Sequence, residues 1–158
     1  MKTLECDYLV IGSGATGMAF VDELIHKSHE IKVIIVDKRA KPGGHWVDAY
    51  DFVRLHAPAA WYGVNSKPLG RGGADLATKA QILAYYELVM EELKSTGRLF
   101  YFPQCDYVGN GKIKSLLDEE LEYQVYSSIS IVFALKEDTK GVRIMYNKFD
   151  NPRFLLIG

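Results

Sequence analysis

Tyr8-Leu9-Val10-Ile11-Gly12-Ser13-Gly14-Ala15-Thr16-Gly17 is the stretch that decides the fold. Its first four residues are a short apolar run of the kind that forms a buried strand. Its last six form a G-x-G-x-x-G. Met18, Ala19, Phe20, Leu24 and Ile25 then recur at roughly helical spacing, and His26-Lys27-Ser28-His29 closes that helix with polar and basic groups near its negative end. Ile31 to Val36 is a second, β-branched run, and Asp37 stands at its end, twenty residues after Gly17. A glycine triplet alone is a weak signal. Here it sits between a strand and a helix, with a second strand and an acid to follow, which is the context of a dinucleotide-binding βαβ unit.

Each residue type has a physical reason in that unit. Gly12 allows the tight turn, Gly14 allows close backbone approach to a pyrophosphate, and Gly17 allows the helix to pack on the strand. Ser13, Ala15 and Thr16 complete the turn whose free N–H groups, at the positive end of a helix dipole, suit phosphate. Asp37 is placed to accept hydrogen bonds from a ribose, which favours NAD or FAD over NADP. Lys38 and Arg39 either relax that preference or form a solvated basic pair. A tight glycine turn without a ligand is the plainer reading of the triplet. Two competing classes fail on residues. Tyr85 and Tyr86 are followed four positions later by Val89 and Met90, so the Tyr-x-x-x-Lys pair of short-chain dehydrogenases is absent there. Thr16 stands where a methyltransferase-like G-x-G-x-G needs glycine.

Working outward, Lys41-Pro42-Gly43-Gly44-His45-Trp46 follows the acid. With this segment the chain resembles the FAD-binding N-terminal segment of flavin-containing monooxygenases and related FAD/NAD(P)-dependent oxidoreductases, from about Leu4 to about Leu117. The resemblance implies that Gly12 to Gly17 bind the FAD pyrophosphate and that Asp37, with Lys38 beside it, holds the adenosine ribose. It further implies that Gly44, His45 and Trp46 cover the flavin side, and that the residue at Cys105 meets the adenine through its backbone. The residues agree: Gly43-Gly44 permits close approach and Trp46 brings a flat surface. An ordinary turn after Pro42 is the alternative. Asp37 and His45 depart from the commonest pattern, which has Glu and a small polar residue at these positions.

From His45 to Tyr62 the chain is rich in aromatics (Trp46, Tyr50, Phe52, Trp61, Tyr62), is not helix-periodic and is interrupted by Pro58. It reads either as the floor of a flavin and substrate pocket or as a loop packed down by its rings. On the first reading Arg54 and His56 place a cation and an imidazole near the flavin. Asn65 to Asp75, with Gly70, Gly72 and Gly73, reads as a mobile connection, with gating as the functional alternative. Thr78-Lys79-Ala80-Gln81 fits a capping box. Ile82, Tyr86, Val89, Met90 and Leu93 form one face of the helix that follows, which Gly97 stops. Leu99 to Phe102 reads as a strand. Cys105 is a cofactor-contact candidate by resemblance, while a small buried thiol is the plainer reading. Lys112 to Leu117 and Leu121 to Tyr126 read as strands of a β-meander, and Ser128 to Leu135, Val142 to Tyr146 and Phe154 to Ile157 as further strands.

Composition sets the outer bounds. The chain has 158 residues, a formal net charge of −1, 48% hydrophobic and 25% charged residues, and two cysteines. These are globular values for one domain. They argue against a nucleic-acid partner, which needs a basic face, and no apolar run reaches the roughly 20 residues of a membrane span. The N-terminus shows no secretory signal pattern, so a reducing, cytoplasmic setting is expected. No metal site is expected.

The expected fold is therefore α/β: a Rossmann-type FAD/NAD(P)-binding domain, a βαβ parallel sheet with an added β-meander, incomplete relative to the family. Residues 1–126 form the FAD-binding part and 127–158 an unassigned β-rich tail. The expected function is FAD binding as the N-terminal portion of a flavin-dependent NAD(P)H oxidoreductase of monooxygenase type, acting on a small molecule that the sequence does not specify. A truncated, non-enzymatic nucleotide-binding module and an NAD-binding dehydrogenase domain are the alternatives. No second glycine fingerprint for NAD(P)H is legible, so the chain alone is expected to turn over NAD(P)H at below about 1 s⁻¹. A missing closing strand would leave a sheet edge open to self-association.

Overall fold

The structure is a computed structural model that describes residues 1–132, together with the backbone of 142–146 and 153–157. Strand β1 (Lys2–Ile11) leads through the glycine turn into helix α1 (Ala15–Lys27), which returns as β2 (Val33–Asp37). A long irregular connection holds two single 3-10 turns, Gly44–Trp46 and Ala59–Trp61. Helix α2 (Lys79–Ser95) then leads to β3 (Leu99–Pro103), β4 (Cys105–Gly109), β5 (Lys112–Ser115), β6 (Glu122–Val132), β7 (Val142–Tyr146) and β8 (Arg153–Ile157).

All eight strands form one sheet, in the order β3-β2-β1-β6-β5-β4, with β7 on β6 and β8 on β7. β3, β2, β1 and β6 run parallel, and the remaining pairs are antiparallel. The Val-Ile-Ile-Val run of β2 is apolar throughout because the sheet is covered on both faces. Its alternation divides two cores. Val33 and Ile35, with Val10 of β1, face α1 and α2, where Met18, Val21, Ile25, Ile82, Tyr86, Val89, Met90 and Leu93 are buried. Ile34 and Val36, with Leu9, face the meander side, against Cys105, Ile113 and Val125.

The βαβ unit and the second helix stand as the sequence predicts. Thr78 accepts from Gln81 N–H while the Gln81 side chain returns to Thr78 N–H, so the capping box is complete. Arg98 caps the other helix, donating to Ile25 O at 2.8 Å and to Ser28 O. Gly97 follows α2 at φ 72°, a left-handed position that suits glycine.

Several boundaries differ. β1 starts at Lys2 rather than Tyr8, because Lys2–Cys6 pair with Tyr123–Ser127 of β6. β4 is an added strand, the first arm of a hairpin that turns at Gly109-Asn110-Gly111, all three at positive φ. β6 runs unbroken through the position at which the sequence divides 1–126 from 127–158. Its first part pairs with β5 on one side and its last part with β7, while β1 lines the other side over its whole length. β1 therefore has β2 on one side and β6 on the other. Ser128 to Val132 are the end of β6, and the rest of the strand expected to reach Leu135 lies outside the described residues. No helix among the described residues is long and apolar enough to cross a membrane.

Candidate functional site

The glycine turn lies at the carboxyl ends of β1 and β2, where parallel sheets place their ligands. The Gly12 N–H donates to Val36 O at 2.8 Å, the last bond of the β1–β2 ladder, and the residue has φ 106°, a value that side chains disfavour and at which the chain leaves β1. Gly14 is the N-cap of α1. It brings no capping side chain, and no acid lies in the first turn. The earliest helical bond there is Met18 N–H to Gly14 O. The amides of the first turn of α1, and the positive end of the helix dipole, are thus left for an anion. Gly17 is buried within α1.

The second glycine pair belongs to the same site. Gly43 N–H donates to Ser13 O at 2.9 Å. A Cβ on Gly14 would stand 3.3 Å from Gly44 Cα, and a Cβ on Gly44 would stand 2.8 Å from Gly14 Cα. Two backbones therefore lie against each other beside the uncapped helix end. Gly14 is needed first for this contact between loops, a reason additional to the approach of a phosphate that the motif alone implies. Gly43 has φ 131°, and a Cβ there would meet Leu83 Cδ2 at 2.6 Å, so α2 supports the loop from behind. His45 is exposed, and its ring lies 5.2 Å from that of Trp46, which packs partly into the helix-side core.

Asp37 is only 6% exposed. Its Oδ2 accepts from both the N–H and the Oγ of Ser13, each at 2.7 Å, and its Oδ1 accepts from Arg39 N–H at 2.9 Å. The fully buried Ser13 also lies 3.4 Å from the hydroxyl of Tyr101 on β3. Burial pushes the Tyr101 phenol up to about 12, so it stays a neutral donor. Sequence reasoning did not single out Tyr101. The signal available was its alternation with Phe102, which sends one ring to each face, but nothing local said that its oxygen would meet Ser13.

The other candidates are placed differently. Lys38 pairs with Asp106 of β4 at 3.1 Å, and Arg39 with Asp48, which is the solvated-pair reading of these two cations. Cys105 is buried in the meander-side core, and burial raises its thiol. His56 is exposed and forms no hydrogen bond with the glycine turn among the described residues. Of the aromatic connection, Trp46 and Tyr62 pack on the core, whereas Tyr50, Phe52 and Trp61 are 75%, 82% and 77% exposed. Tyr50 and Phe52 stack on each other 5.5 Å apart. The loop is held by its polar groups as much as by its rings: Lys79 Nζ bonds Ala49 O and Asp51. The next connection is pinned at its start, where buried Asp22 of α1 accepts from Ser66 N–H and Ser66 Oγ, and Tyr85 bridges Val64 N–H and Lys67 O. That leaves the Gly72-Gly73 tip as the open part of the expected mobile loop.

With this geometry in view, comparison with known proteins is specific as to fold. Residues 10–66 match the family model of the NAD(P)-binding Rossmann-like domain. This is a Rossmann-type dinucleotide-binding fold. A flavin-containing monooxygenase from Stenotrophomonas maltophilia superposes with a TM-score of 0.61 at 20% identity, over 89% of this chain and 43% of that one. The bacillithiol disulfide reductase of Bacillus cereus superposes with a TM-score of 0.62 at 12% identity, over 81% and 39%. An oxidized steroid monooxygenase bound to NADP gives 0.58 at 18% identity, over 82% and 26%. In sequence, uncharacterized proteins of Mycobacterium tuberculosis and Mycobacterium bovis are 47% identical over 130 residues, 75% of this chain. The chain spans 24% of the length of these curated relatives. The resemblance to flavin monooxygenases and FAD-dependent oxidoreductases read from the motifs thus holds for the Rossmann-type fold.

Proposed function

We propose that this chain binds FAD through its ADP half, as the N-terminal portion of a flavin-dependent NAD(P)H oxidoreductase of the monooxygenase type. The observation that carries the reading is the backbone contact of Gly14 with Gly44 beside the uncapped start of α1. Two loops without side chains flank free amides there, which is what a pyrophosphate needs on both sides. The turn Gly12 to Gly17 holds the pyrophosphate, Asp37 accepts from the ribose, and Gly44, His45 and Trp46 approach the flavin. Bound flavin would supply hydride acceptance from NAD(P)H and electron delivery to oxygen or a substrate, while the protein orients it. Cys105 is a wall of the meander-side core, and Lys38 and His56 stand outside the bonded network, so their contribution to binding is small.

The test is uptake of FAD by the purified chain, read as flavin absorbance that survives gel filtration, with NAD and ADP in parallel. Binding of FAD and ADP with NAD much weaker supports the proposal. NAD bound as tightly as FAD would favour the second reading, an NAD-binding dehydrogenase domain, which the family model's NAD(P)-binding description supports. The free thiols Cys6 and Cys105 fit a reducing, cytoplasmic setting. With β6 beside β1, self-association would use an outer strand such as β3, and size-exclusion of the same preparation reads it.

A further inference from the structure

Ser13 is the point at which three loops meet. Its N–H and its Oγ both donate to one oxygen of Asp37, and its carbonyl accepts from Gly43 N–H. A carboxylate oxygen offers about two lone-pair directions. Oδ2 of Asp37 is thus filled by Ser13 alone, and Oδ1, which takes Arg39 N–H, keeps one place. The Ser13 hydroxyl has a single proton and gives it to a group that accepts only, so in the 3.4 Å pair with Tyr101 the phenol is the donor. The chain of donation runs Tyr101 to Ser13 to Asp37, and it holds the rotamer of the fully buried serine.

We propose that Ser13 is a specificity-determining residue: by filling Oδ2 it makes Asp37 accept from one ribose hydroxyl, through Oδ1, rather than from the 2′ and 3′ hydroxyls together. The inference rests on the ADP-half reading above. It has a consequence that ribose binding in general does not. The two hydroxyls are unequal for this protein, and removing the serine hydroxyl makes them more equal. Tyr101 acts through Ser13 and is a positioning residue.

Calorimetric titration of the full chain with ADP, 2′-deoxy-ADP and 3′-deoxy-ADP tests this. For the parent protein, one deoxy analogue should bind within about threefold of ADP. The other should bind about tenfold to a hundredfold more weakly, the loss expected for one hydrogen bond to a charged group. In Ser13→Ala the backbone N–H still donates, one place on Oδ2 opens, and both analogues should fall below ADP by comparable factors. Tyr101→Phe should lower the ratio between the analogues in the same direction but by less. Equal losses for the two analogues in the parent protein, with ADP bound, overturn the inference and leave the ADP-half reading intact. An unchanged ratio in a folded Ser13→Ala does the same. If Ser13→Ala does not fold, the parent comparison and Tyr101→Phe decide. ADP that does not bind at all overturns both readings.

Discussion

Two glycine-rich segments of this chain, Gly12 to Gly17 with Gly43-Gly44, and Gly70 to Gly73, look alike in composition and differ in what surrounds them. A Cβ at Gly14 or Gly44 would press on the backbone of the other loop, at 3.3 and 2.8 Å. A Cβ at Gly72 or Gly73 would meet nothing within 4 Å, although both have positive φ. Gly14 and Gly44 are glycine because two segments of the chain share one small volume, the volume into which the proposed pyrophosphate would fit. Gly72 and Gly73 are glycine because the turn itself needs left-handed residues, whereas a Cβ at Gly70 would also meet Asp75 Oδ2 at 2.7 Å and Ala59 Cβ at 2.9 Å. A substitution in the first should therefore act on binding, and one in the second on local stability alone.

The largest effect is expected for Gly44→Ala. Backbone must move at a contact of 2.8 Å with φ 58°, and overpacking of this kind costs about 1–3 kcal/mol. A side chain at that left-handed φ adds about 1–2 kcal/mol, so FAD retention should fall by more than about thirtyfold if the summed cost is charged to the bound geometry, with a lowered thermal midpoint in the same sample. Retention equal to the parent's would break the comparison.

Asp37→Ala comes next. It removes the acceptor of Ser13 and Arg39 as well as of the ribose. One lost hydrogen bond to a charged group is worth about 1.5–3 kcal/mol, so ADP affinity should drop about tenfold to a hundredfold by calorimetry. Asp37→Asn, which keeps one acceptor oxygen, should lose less.

For Gly14→Ala, at 3.3 Å, the loops can give by a few tenths of an ångström. FAD affinity should fall by about tenfold, roughly the 1.4 kcal/mol that a small repacking costs, less than for Gly44→Ala. The reverse order would mean that the ligand, rather than the partner loop, sets the requirement at position 14.

Gly72→Ala marks the small end. Its φ of 85° makes a side chain cost about 1–2 kcal/mol in stability, read by denaturant titration, with FAD affinity unchanged. A loss of flavin there would show that the tip also reaches the cofactor and would erase the distinction between the two segments.

The reading of these residues from sequence was uneven for a physical reason. Thr78 and Gln81 announced a helix start because both halves of a capping box lie within four residues. Ile82, Tyr86, Val89, Met90 and Leu93 announced a face because 3.6 residues per turn is a local property. Cys105 to Gly109 gave no such signal. A five-residue strand with mixed burial is stabilised by Lys112–Ser115 across a hairpin, not by its own pattern. The aromatic connection was legible as ordered but not as to direction, and Tyr50, Phe52 and Trp61 turn outward. An irregular segment carries no period to say which side is inside.

The sequence by itself determined the β1-α1-β2 unit, the acid at the end of β2, and the second helix with its cap. Each of these is closed by residues a few positions to about twenty-five apart, so the local signals could agree. Tertiary structure decided the rest. It joined Gly14 to Gly44, thirty residues on, and gave both oxygens of Asp37 to protein donors before any ligand arrives. It brought Tyr101 to Ser13 across β2, and it laid β6 along the whole of β1 while sharing the other side of β6 between β5 and β7. A two-residue period tells a strand which side chains share a face. It does not tell the strand which neighbour to pair with, and that choice is made by the summed packing and hydrogen bonding of segments far apart in the chain.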